Sequence, residues 1–142
     1  QRGVGLKWRA LVAACEKHNR PVDFYMKTFH SDRYWSATPK EQRPSWDAEL
    51  TSSALPSVYH DNMWCFNPEE TASMMEKVDK PWLAFKVMAA GAIHPQMAFA
   101  AAFRNGADFV VAGMFDFQVE ADAKIAIEGL KKTQNRKRPW CA

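Results

Sequence analysis

The stretch 80–117, KPWLAFKVMAAGAIHPQMAFAAAFRNGADFVVAGMFDF, constrains the fold more than any other part of the chain. An apolar run at 82–90 leads into the small-residue turn Gly91-Ala92-Ile93. Pro95 suits the first position of a helix, and Arg104-Asn105-Gly106 ends that helix with glycine in the left-handed capping position. A second apolar run, 108–112, meets Gly113. Two short apolar runs separated by a helix read as parallel strands joined by a crossover. In such a unit each glycine stands at the carboxyl end of a strand, on the rim where α/β proteins hold ligands.

The same alternation extends outward. Val4, Trp8, Leu11, Val12 and Cys15 recur at helical spacing and predict a helix over 4–18, ended by Asn19-Arg20-Pro21. Residues 22–29 (VDFYMKTF) predict a strand with Phe24, Met26 and Thr28 on one side and Tyr25, Lys27 and Phe29 on the other. Asn67-Pro68-Glu69-Glu70 opens a helix to about 78, with Asn67 as cap and Glu70 completing a capping box. A last helix over 120–132 is acidic in its first turn and basic in its last, as the helix dipole favours. Between 30 and 66 no period is sustained, yet Tyr34, Trp35, Trp46, Tyr59, Trp64 and Phe66 make the segment too aromatic for a disordered linker. It reads as a long irregular loop, either a lid or a small satellite core. The expected architecture is α/β, with parallel strands near 22–29, 82–90 and 108–112, in a single domain over 1–142.

Composition narrows the function classes. At 142 residues, 47% apolar and 25% charged, the chain has the make-up of a globular core, and no run reaches the roughly 18 apolar residues of a membrane span. Of the net charge of +3, much lies in the tail Lys131, Lys132, Arg136, Lys137 and Arg138, expected as a solvated helix end from which Arg138-Pro139-Trp140 docks back. Charge therefore makes no case for a nucleic-acid partner. Cys15, Cys65 and Cys141 form no CxxC pair, which argues against a disulfide framework and weakly favours a reducing, cytoplasmic compartment. No signal peptide is visible, but the chain opens on Gln1, so an upstream targeting segment stays open.

Ala89-Ala90-Gly91-Ala92-Ile93 with Pro95, and Gly106-Ala107-Asp108-Phe109-Val110-Val111-Ala112-Gly113, resemble the end of phosphate-binding (β/α)8 barrels. That group includes class I aldolases and the ribulose-phosphate-binding and flavin-dependent barrels. The resemblance implies that 22–29, 82–90 and 108–112 are the sixth, seventh and eighth strands. It also implies that the chain is the carboxyl-terminal part of a TIM barrel, which needs about 250 residues. Ala90 replaces the usual first glycine, and Met114, Phe115 and Asp116 follow Gly113 where phosphate binders carry small or polar residues. The missing partner is then an amino-terminal barrel half, or another copy in a homo-oligomer covering the strand edges of a smaller open domain.

On this reading the substrate is a small, oxygenated and possibly phosphorylated metabolite, and the chemistry is lyase- or isomerase-like at a carbonyl. Lys86, between Phe85 and Val87, and Lys27 on the earlier strand are candidate nucleophiles or bases, because a desolvated lysine becomes a useful amine. They resemble the Schiff-base lysines of class I aldolases. His30 and His60 are candidate proton carriers. Gly91, Ala92, Gly113, Met114 and Asp116 are expected to seat the substrate, with Trp35 and Trp64 closing over it. Two alternatives stand beside this reading. One is a metal-dependent barrel in which His30, Asp32, His60 and Asp61 hold a divalent ion, with His94 and Asp116 nearby. The other is a non-catalytic α/β module that binds through its aromatic loop. No cofactor is otherwise expected.

Overall fold

The computed structural model describes residues 3–6, 9–43, 63 and 65–141. Among these residues four strands and four helices alternate: β1 (Gly3–Leu6), α1 (Arg9–Lys17), β2 (Phe24–Thr28), α2 (Pro68–Met75), β3 (Trp82–Phe85), α3 (Pro95–Arg104), β4 (Phe109–Val111) and α4 (Val119–Lys132). All strand pairs are parallel and the sheet order is β1-β2-β3-β4. Consecutive parallel neighbours joined by right-handed crossovers put α1, α2 and α3 on one face of the sheet, and α4 packs against α3. That face carries Tyr25, Trp82, Ala84 and Val110, which share a core with Val12 of α1, Met75 of α2, and Phe99 and Phe103 of α3.

The first expected element is corrected. The helix over 4–18 begins only at Arg9, and Gly3–Leu6 is a strand paired with β2 in the register Gly3↔Phe24 to Leu6↔Lys27. GVGL alternates small and large residues with a period of two, and its two glycines are poor helix formers. The sheet therefore has four strands where three were expected. The strand over 22–29 is confirmed as Phe24–Thr28 and that over 108–112 as Phe109–Val111. The strand expected over 82–90 stops at Phe85, because Lys86 adopts φ +58° and turns the chain. Trp82 and Ala84 lie beneath the helices and Phe85 lies on the opposite face.

Helix ends follow their sequence cues in part. Pro95 opens α3 and Gly106 ends it at φ +103°. Asn67 precedes Pro68 but makes no side-chain cap; its carbonyl instead accepts from the Thr71 N–H, the Thr71 hydroxyl and Arg9. Within the irregular loop, a short 3-10 turn spans Lys40–Gln42, and Trp46, Tyr59 and Trp64 lie outside the described residues.

The tail follows the expectation in part. Lys131, Lys132 and Lys137 are exposed and Arg138 docks back as expected, but the Arg136 side chain is buried as well: both guanidinium groups lie against Asp108, at 2.5 and 2.7 Å. Arg138 uses all five of its N–H donors, on the carbonyls of Met75, Val78, Lys80 and Gly106 and on Asp108 Oδ2. It thus satisfies the carbonyls left over at the carboxyl end of α2 and in the links into β3 and β4. Asp108 also accepts from the backbone N–H groups of Trp82 and Cys141. Gly106 permits this approach, since a Cβ there would come within 2.9 Å of Arg138 Cβ. Trp140 completes the strap, with the Arg136 guanidinium 3.3 Å from its ring centre. Beside this cluster, Lys80 of the α2–β3 link and Tyr25 of β2 both donate to Glu16 at the end of α1. Burial works to raise the Glu16 carboxyl, but these two donors hold it below its usual range. Burial and the bond to Glu16 push the Tyr25 phenol up.

Burial likewise works to raise the Asp108 carboxyl, but the Trp82 N–H, the two arginines and the Cys141 N–H together hold it below its usual value. A carboxyl depressed by folding adds stability that is complete above its unfolded pKa of about 3.9 and is lost as pH falls through the lower folded value. Asp108→Ala is expected to cost about 3–5 kcal/mol in urea unfolding at pH 7, because two buried arginines lose their anion. The variant should also lose part of the wild-type fall in stability below about pH 4.

Candidate functional site

The carboxyl ends of β3 and β4 border an open cleft of about 680 Å³. Its floor and walls come from three segments. The first is the turn after β3, with Lys86, Val87, Met88, Ala90 and Gly91. The second is the segment after β4, with Gly113, Met114 and Phe115. The third is the start of α4, which contributes Gln118 and Asp122. Pro95 and Ile93, at the start of α3, close the side between the first two. The lining is largely apolar, with a lysine, a carboxylate and an amide as its polar groups, the composition usual for a small-molecule site.

The turn after β3 is locally strained. Lys86, Ala89 and Ala90 have φ of +58°, +46° and +57°, and Gly91 follows at +93°. A left-handed backbone costs an L-residue roughly 1–2 kcal/mol, so three such residues persist only where the surroundings enforce them. The conformation breaks the strand alternation and brings Lys86 to the cleft by a route that period-2 reasoning did not anticipate.

The expected site residues divide into those in the cleft and those elsewhere. Lys86, Gly91, Gly113 and Met114 line it together. Ala92 belongs to the same turn, and Asp116 opens the exposed 3-10 turn before α4, but neither contributes to the lining. Lys27 lies on the helix-covered face, in register with Ala84, and its buried ammonium donates to the carbonyl and hydroxyl of Thr28. His30 is buried, with Nδ1 2.9 Å from the Ser31 carbonyl and its ring edge-on to Tyr34. Asp32 is ion-paired with Arg43 at 2.7 Å. His94 caps α3 by accepting from the Gln96 N–H. Trp35 is 85% exposed, in the segment after β2. His60, Asp61 and Trp64 lie outside the described residues. Among the described residues, no three His, Cys, Asp or Glu side chains gather as metal ligands. No helix among them is long and apolar enough to cross a membrane.

Two residues of the cleft went unread in the sequence. The acidic first turn of α4 suits a helix start, yet its Asp122 is buried. The signal was present: Asp122 stands in the stripe of Ile125, Ala126, Gly129 and Thr133, the inward face of α4, where an ionisable residue has no packing reason to be. Gln118 turns its Oε1 to the Phe115 N–H at 3.0 Å and so fixes the segment that carries Phe115.

Comparison with known proteins gives no match: no family model fits the chain, and no curated protein or solved structure is detectably similar to it.

Ala90 is exposed and at φ +57°, so it tests the strain directly. Ala90→Gly should raise stability by about 1 kcal/mol, read as a rise in Tm, because glycine adopts this conformation without the Cβ penalty. An unchanged or lower Tm would mean that this turn stores no strain.

Proposed function

We propose that this chain is the carboxyl-terminal half of a (β/α)8-barrel enzyme. It acts on a small oxygenated metabolite by lyase- or isomerase-like chemistry at a carbonyl, with Lys86 as nucleophile or electrostatic base. The observation that carries the proposal is Lys86 itself, held in a left-handed conformation at the end of a parallel strand and lining an apolar cleft on the carboxyl rim. Strained non-glycine residues concentrate where structure is maintained for function, and this rim is where barrels place their chemistry.

The barrel part of the proposal draws on the sheet face turned away from the helices, which is exposed at β4 and buried at Thr28 of β2. Met26, Leu83, Phe85, Phe109 and Val111 occupy it, and none belongs to the core beneath the helices. Phe109 and Val111 are 48% and 40% exposed. Parallel sheets occur almost only with both faces covered. Four consecutive strands with helices on one side are half of an eight-strand barrel, whose interior would bury this face. A phosphate is disfavoured as the group seated here, since Asp122 contributes a carboxylate to the cleft.

A neutral lysine amine attacks a carbonyl to form an imine with loss of water, and borohydride reduces that imine to a stable secondary amine. Incubation with small hydroxy-aldehydes or hydroxy-ketones and borohydride should therefore add substrate mass to the peptide bearing Lys86. Lys86→Met should lower turnover of such a substrate by about 10²–10⁴-fold. Undiminished turnover in a folded Lys86→Met protein would overturn the assignment.

The open face gives a second test. Phe109→Glu should destabilise the complete protein by several kcal/mol if this position lies in a barrel interior, because the charge would be desolvated without a partner. A change within about 0.5 kcal/mol, as at an ordinary surface position, would argue against the barrel.

A further inference from the structure

We infer that the cleft takes a neutral polyhydroxylated molecule, a sugar or polyol, whose hydroxyl groups donate to the Asp122 carboxylate. This rests on the catalytic reading above and adds the substrate class. Asp122 is only 6% exposed and lines the cleft. No hydrogen bond or ion pair from the described residues reaches it. A carboxylate on the wall of the cleft offers acceptors, and a ligand that enters brings the donors that meet them.

Charge restricts those donors. An anionic group entering the cleft meets Asp122, and a cationic group meets Lys86. A hydroxyl both donates and accepts and carries no charge, so it suits both residues. Gln118 supplies a complementary group: its Oε1 is taken by the Phe115 N–H, which leaves the amide NH₂ to donate to a ligand oxygen. Phe115 adds the apolar surface that a sugar ring needs. Its side chain is 70% exposed at the edge of the cleft and lies parallel to Phe117, with ring centres 5.6 Å apart and planes 6° apart. A supported aromatic face at the mouth of a polar-tipped cleft matches the C–H face of a sugar.

The test is calorimetric titration of the complete protein with D-fructose and xylitol as neutral probes, D-fructose 6-phosphate as the anionic probe and D-glucosamine as the cationic one. The expected result is saturable binding of at least one neutral probe, with no tightening by phosphate or amine. Asp122→Asn should weaken that binding by about tenfold or more, as expected for loss of charge-assisted hydrogen bonds. Phe115→Ala, at an exposed position, should also weaken it, and it serves as the test if Asp122→Asn fails to fold. Failure of both neutral probes to bind, tighter binding of a charged probe, or unchanged affinity in the folded variants would overturn the inference. The two readings fail separately. Lys86-dependent turnover of phosphorylated substrates alone would remove the polyol and keep the catalyst. Asp122-dependent polyol binding without Lys86-dependent turnover would do the reverse.

Discussion

The carboxylate of Asp108 is the point through which the amino-terminal side of this fold is tied together. It stands just before β4, receives the backbone N–H of Trp82 at the start of β3, and faces two arginines from the far end of the chain. Three charges taken out of water would ordinarily cost several kcal/mol per ion. Here the desolvation is offset because the hydrogen-bonding capacity of Asp108 and Arg138 is filled, the latter largely by carbonyls at the ends of α2 and α3. One side chain thus fixes two helix ends and two strand starts. The cluster also explains a local choice in the sequence: Gly106 leaves the space that Arg138 crosses.

The opposite rim is built on different terms. Around Asp108 every buried side-chain polar atom but Arg136 Nε has a partner among the described residues, whereas at the carboxyl ends of the strands the backbone holds three left-handed non-glycine residues. These conformations lower stability and do not improve the packing of the core. A rigid base lets a protein keep such features, because the strands that carry the rim cannot splay to relieve them. The cleft therefore lies where the fold is least relaxed, and it depends on the opposite end for its shape.

Much of the fold was legible because strand and helix periods are local. Pro95 and Gly106 marked both ends of α3, and 22–29 and 108–112 contained β2 and β4. β1 was missed because four residues are too few to show a period against the strong helical pattern that follows. The end of β3 was missed because apolar composition continues to Ala90 while the backbone turns at Lys86, and no residue type announces a left-handed lysine. Of the cleft lining, Lys86, Gly91, Gly113 and Met114 are legible at the expected strand ends. Lys27 lies away from the cleft, which was not legible because alternation separates two faces but does not say which one the helices cover. The burial of Arg136 was not legible for a related reason: a run of basic residues resembles a solvated helix end, and only the carboxylate 28 positions earlier in sequence shows where this one goes.

The sheet face turned away from the helices links these observations to the wider architecture. A sheet face meant for water alternates apolar with polar residues, and the strands here do not. WLAF and FVV are apolar throughout, so the side chains facing away from the helices are as apolar as those facing them. Such strands are written for burial on both sides. Among the described residues β1 and β4 are the edge strands of the sheet, and an edge strand presents a row of backbone groups open to pairing. In the proposed barrel, further parallel strands would cover the face and pair both edges at once. The barrel would also surround the cleft with carboxyl-end loops from the other strands, and that is the setting in which a strained lysine and a buried carboxylate on one rim make chemical sense.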